Sequence, residues 1–316
     1  MKKTFIIAPL ICAGALSLQA APLYFGSSSG DWNTVSNWFT DSAGATPSSA
    51  APTSADDTFF NITGVNAATS VTTGSNIAAN SLVFSNTGTT DIYSTSSTRY
   101  LDIGSGGITL NSGAGNVTIG GHSQTLTARV ATSQTWINNS GANLRIYNAA
   151  SAGTGTDAVT LTTQSTGTGN INFSNALNNG TNGAVLSLVI DSSGTGATTF
   201  ISSASTYSGG TTVKRGVLQV RVNGSLGSGA LTLGGTGNAT LQVINSPALS
   251  NNIVVASGPG SKSIDVATSG QSPSITGTVT LNDNLNFGTS GTGAVAVTLT
   301  KVVSGTGGIQ IDSSVV

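Results

Sequence analysis

Residues 206–243 read TYSGGTTVKRGVLQVRVNGSLGSGALTLGGTGNATLQV, and this stretch decides the fold. Its segments 217–220, 231–233 and 241–243 alternate apolar and polar residues and are separated by turns rich in Gly, Asn and Ser. Alternation with a period of two is typical of a β-strand that buries one face. Strands this short cannot fold alone, so each must stack on another unit like itself.

The same unit recurs along most of the chain, usually as an apolar–polar–apolar triplet, with strand candidates spaced about 8–12 residues apart. Further candidates are 82–84, 101–103, 108–110, 117–119, 136–137, 144–146, 159–161, 171–173, 186–190, 253–255, 264–266, 279–281, 285–287, 295–303 and 309–311.

This spacing fits a sandwich, a barrel or a solenoid. Three main Asn-Gly pairs, at 179–180, 182–183 and 223–224, are too few to supply hairpins for so many strands. Successive coils of a solenoid pair in parallel and need no hairpins. The pattern therefore predicts an all-β chain, a β-solenoid of about a dozen coils with roughly 20–25 residues each. Asn, Ser and Thr at equivalent turns are expected to hydrogen-bond along its axis.

The first residues predict export. Lys2 and Lys3 precede a mostly apolar run, and small residues follow at 20–21, which together are typical of a secretory signal peptide over residues 1–20. A lipoprotein signal using Cys12 is the alternative, which the bulky Ile11 disfavours. Without the signal, 8 basic residues remain against 11 acidic ones, a net charge of −3. No cysteine remains for a disulfide, and nucleic-acid binding is not expected at this charge.

Residues 21–60 differ from the rest and are interpreted as an N-terminal aromatic cap. They contain Trp32 and Trp38 in the segment GDWNTVSNW. A stack of coils has an apolar end that an atypical terminal unit must cover. The alternative is a glycan-binding platform built from Trp32, Trp38 or Trp136. Asp56 and Asp57 are interpreted as a turn before a strand, with half of a cation site as the alternative.

Few residues offer chemistry. The single histidine, His122, lies in a Gly-rich turn without a nucleophile-elbow sequence, so a Ser-His-Asp triad is not expected. Segment 153–159 resembles one calcium-binding nonapeptide, but no tandem copy accompanies it. We therefore expect no catalytic, cofactor-binding or metal-binding residues and no enzyme activity. Two carboxylates from neighbouring coils could still form a polysaccharide lyase or hydrolase site. The scattered candidates are Asp102, Asp157, Asp191, Asp265, Asp283 and Asp312.

A local positive patch is formed by Lys214, Arg215 and Arg221. It is interpreted as a solvated edge, with contact to an anionic surface glycan as the alternative. Extracellular or cell-surface glycans are accordingly the candidate ligands of the chain.

Residues 206–243 resemble the passenger-associated transport repeat, which is the β-strand repeat of autotransporter passenger domains. The usual pattern is NTYxGGTxV, a Gly, an alternating strand, an LGxG turn and a second strand. The departures here are Ser205 in place of Asn and the charged pair Lys214 and Arg215. The residues that carry the resemblance are Tyr207, Gly209, Gly210, Thr211, Gly216, Leu218, Leu226, Gly227, Gly229 and Leu231.

The resemblance implies a right-handed parallel β-helix over residues 61–316. It also implies a secreted, non-catalytic stalk on the outer-membrane surface of a Gram-negative-type bacterium, whose repeat aids folding and secretion. An autotransporter needs a translocator barrel of amphipathic strands, and we do not expect residues 1–316 to form one. We therefore expect either a truncated reading frame, with an outer-membrane translocator as partner, or a short secreted member of the group. An adhesin and a polysaccharide-degrading enzyme are the rival hypotheses.

Overall fold

The computed structural model describes residues 22–62, 65, 68–121, 125–147, 158–180 and 183–312, and the backbone of 151–152. The predicted signal peptide lies outside the described residues. Within them the chain forms strands β1–β29 and a short 3-10 helix, Val35–Asn37.

The strands of the N-terminal half are β1 (Pro22–Phe25), β2 (Ser29–Asp31), β3 (Trp38–Phe39), β4 (Asp57–Phe60), β5 (Thr69–Thr73), β6 (Ile77–Phe84), β7 (Thr90–Ser94), β8 (Arg99–Leu110), β9 (Val117–Ile119), β10 (Leu126–Val130), β11 (Gln134–Asn138), β12 (Leu144–Ile146), β13 (Ser151–Ala152) and β14 (Val159–Ser165). Those of the C-terminal half are β15 (Ile171–Phe173), β16 (Leu186–Asp191), β17 (Thr198–Ile201), β18 (Thr211–Val220), β19 (Leu231–Leu233), β20 (Ala239–Val243), β21 (Ala248–Leu249), β22 (Ile253–Val255), β23 (Lys262–Val266), β24 (Ser274–Ile275), β25 (Val279–Leu281), β26 (Leu285–Thr289), β27 (Thr298–Leu299), β28 (Val303–Gly305) and β29 (Ile309–Ile311).

Strand pairing makes the chain a solenoid. Among the described strands, every pairing is parallel except that of β1 with β3. Every described strand except β3 pairs with its counterpart one coil away, which confirms the predicted all-β solenoid of stacked parallel strands. Of the strand candidates, 295–303 is wrong as one element, because it divides into β27 and β28.

The stack has about ten turns rather than a dozen, because many coils are longer than predicted. Leu23 lies opposite Thr58, so that 35 residues form the first coil. Ile108 and Trp136 lie opposite each other at a separation of 28 residues. Coil length therefore follows the length of the turns, while the strands keep a constant inward and outward alternation.

The core is a set of columns that run along the axis. The face of the coil that contains β14, β16, the start of β18, β19 and β22 is called the first face, and the face that contains β5, β7, β9, β12, β15, β17, the end of β18, β20 and β23 is called the second face. On the second face, successive strands place one apolar side chain at each level, and all of them are buried. This column consists of Val71, Ile92, Ile119, Ile146, Phe173, Ile201, Val220, Val243 and Val266. Because burying one such side chain is worth about 1.5–3 kcal/mol, the stability of the solenoid accumulates coil by coil.

Asparagine ladders join the turns, as the sequence predicted. The Oδ1 atom of Asn116 accepts a hydrogen bond from the backbone N–H of Asn143 at 2.8 Å. Asn143 accepts in the same way from Asn170 at 3.0 Å, and Asn170 from Thr198 at 2.9 Å. Each bond satisfies a turn N–H that would otherwise lack a partner, so the side chain stabilises the junction between neighbouring coils.

Aromatic side chains pack together in the first described coil. The antiparallel strand β3 pairs with β1 on the edge opposite β4. Trp38 packs edge-on against Trp32, with ring centroids 5.0 Å apart, and against Phe25 at 5.2 Å. Parallel pairing nevertheless begins at β1, inside the predicted cap region of residues 21–60.

The last described coil presents a different end. Its strands β28 and β29 have only exposed residues, and Val302 and Ile311 are 69% and 63% exposed. In the preceding coil the register partner of Ile311 is Phe287, which is buried. The two ends of the described stack are therefore unlike each other.

Candidate functional site

Residues 206–243, called the repeat stretch, form one complete coil, in which Thr211 lies opposite Leu231, and a large part of the next coil. Strand β18 bends at Gly216, where φ is +99°, a value that favours glycine. The half of β18 before this corner pairs with β16 and β19, and the half after it pairs with β17 and β20. The repeat is thus a continuous part of the shaft.

Tyr207 is the central side chain of the repeat. It is fully buried, and its hydroxyl lies 2.5 Å from the Oγ1 atom of Thr211. Burial raises the pKa of the Tyr207 phenol well above its usual range, and the hydrogen bond to Thr211 opposes this only in part. The neutral phenol therefore acts as a structural hydrogen-bonding group in the core.

The glycines of the repeat let neighbouring turns approach closely. Gly227 has a φ of +61°, and a Cβ atom there would overlap with the carbonyl oxygen of Tyr207. A Cβ on Gly229 would overlap with the backbone of Gly210, which itself has a φ of +86°. A Cβ on Gly209 would overlap with Ser187. The structure therefore brings these glycines together at contacts between coils.

The apolar residues of the repeat lie in the core. Leu218, Leu226 and Leu231 are each no more than 1% exposed. Leu231 lies opposite Thr211 on the first face, and Leu218 lies opposite Leu241 on the second. All ten residues that carry the resemblance therefore belong to the packed interior or its turns.

The tryptophans cannot form the suggested glycan platform. Trp32, Trp38 and Trp136 all have 0% exposure. The ring of Trp136 stacks on that of Phe173, with the ring centroids 5.7 Å apart. Its Nε1 atom donates a hydrogen bond to the Oε1 atom of Gln134. The hypothesis that these rings contact a glycan is wrong, because the coils bury all three.

Four of the carboxylates considered for catalysis, Asp102, Asp191, Asp265 and Asp283, have structural partners. Asp102 pairs with Arg129, whose guanidinium also lies 4.4 Å from the ring centroid of Tyr100. Asp191 pairs with Arg215 at 3.0 Å and accepts from Thr236.

Further along the axis, Asp265 accepts hydrogen bonds from Gln242 and Ser290. Asp312 is the last described residue. Asp157, His122 and residues 153–157 of the calcium-like segment 153–159 lie outside the described residues. Within the part of the chain that the structure describes, no three His, Cys, Asp or Glu side chains cluster as metal ligands do.

Asp56 and Asp57 form a turn and a strand start, as interpreted. Asp56 accepts from the backbone N–H and the hydroxyl of Thr53, at 2.8 and 2.7 Å. Asp57 begins β4 and accepts from Asn80 and Ser81 of the next coil. The carboxylate oxygens of both residues therefore accept hydrogen bonds from the backbone and from neighbouring side chains.

The predicted positive patch is not a single surface. Arg215 is neutralised by Asp191, while Lys214 and Arg221 are exposed on different faces of the coil. The side chains of Lys214 and Arg215 pack over Gly235 and Gly237, respectively. This arrangement matches a solvated edge.

Lys262 is a buried cation that the sequence did not single out. It is 2% exposed, and its Nζ atom donates to Asp283 at 2.6 Å and to the carbonyl oxygen of Gly258 at 2.5 Å. The hydrogen bond from Lys262, followed by that from the backbone N–H of Asn284, lowers the pKa of the Asp283 carboxyl below its usual value. The pair fixes the turn between β25 and β26 to the preceding coil.

Because of this pair, we expect the free energy of unfolding to depend on pH in the acidic range. Because the pKa of Asp283 is lower in the folded state, its stabilising contribution is complete above the unfolded pKa of about 3.9 and is lost as pH falls through the folded value. We expect the difference in unfolding free energy between the wild type and Asp283→Asn to shrink on acidification below about pH 4. Urea unfolding at several pH values measures it.

The matched control is Lys262→Met, which removes the cation and keeps an apolar stem of similar length. In this background Asp283→Asn should have a smaller effect at neutral pH, and the pH dependence of that effect should be reduced. An unchanged pH dependence would show that Lys262 does not determine the titration of Asp283.

No helix in the described residues is long and apolar enough to cross a bilayer.

Comparison of the chain with protein-family models, with curated proteins and with solved structures finds no match.

Proposed function

We propose that this chain is a secreted, non-enzymatic β-solenoid of the passenger type, which serves as a rigid surface spacer. The observation that carries the proposal is the place of residues 206–243 in the structure. They continue the core and the turn contacts of the shaft from one coil to the next. The side chains of the repeat are used for packing, which suits a stalk that must fold after export.

The shaft also has the bonds that a stiff spacer needs. Parallel strands join each coil to the next, and asparagine ladders and ion pairs such as Asp102 with Arg129 strengthen several of these junctions. Because each coil contacts chiefly its neighbours, folding can propagate from one coil to the next. The repeat would supply a stable coil during translocation across the outer membrane.

The test is surface display in a Gram-negative host, with the chain fused to an autotransporter translocator barrel. Display is measured by antibody labelling of intact cells and by protease accessibility. Tyr207→Ala is compared with Ile146→Ala, which removes a buried side chain from a coil outside the repeat. If the repeat aids secretion, Tyr207→Ala should lower display several-fold more than Ile146→Ala does when the two variants have equal unfolding free energies.

Equal display of the two variants at equal stability would contradict a special role for the repeat. Tyr207→Phe serves as a second variant that keeps the ring in the core. It removes only the hydroxyl that contacts Thr211, so it should fold and should be displayed better than Tyr207→Ala.

A further inference from the structure

We infer that a groove beside β12 binds the carboxylate of an acidic polysaccharide. The groove lies on the second face of the coil and has a volume of about 350 Å³. Asn116, Thr118, Asn143, Arg145 and Asn172 line it. This inference is independent of the proposed spacer function.

Arg145 is the cation of this groove. It points outward between the buried Leu144 and Ile146 and is exposed. Its guanidinium has no hydrogen-bond or ion-pair partner among the residues that the structure describes. By contrast, Arg129 and Arg215, which also lie in strands, are each paired with an aspartate.

The acidic residue in the same outward column is too distant to neutralise Arg145 directly. Arg145 lies opposite Thr118, and Thr118 lies opposite Asp91. Two strand spacings separate Asp91 from Arg145, which is about 10 Å. The guanidinium therefore keeps its five donors available to a ligand.

The asparagine ladder orients the amides of the groove. The Oδ1 atoms of Asn116 and Asn143 accept the backbone N–H groups of Asn143 and Asn170. An amide whose oxygen is used in this way must direct its NH₂ group elsewhere, so these side chains present donors. Donors from two amides and one guanidinium select a ligand rich in acceptor oxygens.

An exposed aromatic side chain follows the cation in the chain, next to the residues that line the groove. Tyr147 lies two residues after Arg145 and is 41% exposed, and its ring lies close to Gly121. A flat aromatic surface beside polar donors is typical of sites that hold a ring and fix its substituents.

These features together favour a uronate-type sugar. A carboxylate can accept two parallel hydrogen bonds from a guanidinium, and the sugar's hydroxyl groups can accept from the amides while its ring packs on Tyr147. The net charge of the chain without the predicted signal is −3, so general attraction of an acidic polymer would not account for binding. Recognition must come from the local groove.

The test is isothermal titration of the full secreted chain with oligogalacturonate, a neutral dextran of equal length and dextran sulfate. We expect binding of the uronate and none of the neutral glucan. Arg145→Gln should weaken uronate binding by about tenfold or more, because it removes a charge-assisted pair. Arg145→Lys should lie between the two, since it keeps the charge and loses the bidentate geometry.

The charge-matched control is Lys214→Gln, because Lys214 is exposed and lies outside the groove. It should bind as the wild type does. Unchanged affinity in Arg145→Gln, equal losses in both variants, or stronger binding of dextran sulfate than of the uronate would each overturn the inference. Unfolding midpoints of the variants, which should match that of the wild type, separate these outcomes from misfolding.

Discussion

Replacing Trp38 by alanine is expected to lower the free energy of unfolding by about 3–5 kcal/mol. The ring is fully buried between Trp32 and Phe25, and its Nε1 atom donates to the carbonyl oxygen of Trp32 at 2.7 Å. The substitution opens a cavity at the end of the stack and leaves that carbonyl group without its donor. Urea unfolding of the secreted chain measures the loss.

The position of Trp38 in the first described coil predicts which strands the substitution destabilises most. A solenoid frays from its ends, because a terminal coil has a neighbour on only one side. Amide hydrogen exchange should therefore accelerate first in β1, β2 and β4 and last in the central coils. Val35→Ala is the control, because Val35 lies in the same segment, is 39% exposed, and should change stability by less than about 0.5 kcal/mol. Exchange that accelerates evenly along the chain would contradict an end-closing role.

Gly227→Ala is expected to cost about 2–5 kcal/mol. Part of the loss is the φ of +61°, which an L-residue adopts at a cost of about 1–2 kcal/mol. The rest arises because the new methyl group would overlap with the Tyr207 carbonyl oxygen. That oxygen accepts a hydrogen bond from the backbone N–H of Ser228 at 3.0 Å, so it cannot move without weakening this contact.

Two other glycines separate these contributions. Gly270 has a φ of +72°, and no atom lies within 4 Å of the position that a Cβ would take there, so Gly270→Ala should show the backbone cost alone. Gly74 has the same open space without a positive φ, so Gly74→Ala should change stability little. Unfolding free energies of the three alanine variants should decrease in the order Gly74, Gly270, Gly227. If the Gly227 variant were no less stable than the Gly270 variant, close approach would not be the reason for glycine in the repeat.

The fold was largely predictable because each coil of a solenoid is specified by short-range patterns, namely the alternation of apolar and polar residues within a strand and the turn residues that follow it. Alternation determines which residues point inward, and the triplets 144–146 and 253–255 became β12 and β22 as expected. Segment 295–303 was mispredicted as one strand, because its apolar residues turn through a corner between β27 and β28. Ladder asparagines were predictable as a class, whereas their particular partners were not.

The candidate groove was less predictable. Arg145 has the same pattern of neighbours in the sequence as other outward-pointing strand residues, such as Arg129. Only the register places Asp102 opposite Arg129 and leaves Thr118 and Asn172 opposite Arg145. The exposure of the tryptophans was likewise a tertiary question, since an aromatic ring suits both a core and a surface.

The sequence by itself determined that this protein is a stack of short parallel strands, since alternating apolar residues between Gly- and Asn-rich turns leave few other ways to bury a core. The tertiary structure alone decided which side chains meet across the coils. Opposing residues lie 20 apart for Val213 and Leu233 and 28 apart for Ile108 and Trp136. Because the turns set these offsets and vary in length, no single period in the sequence could pair Lys262 with Asp283 or leave Arg145 open.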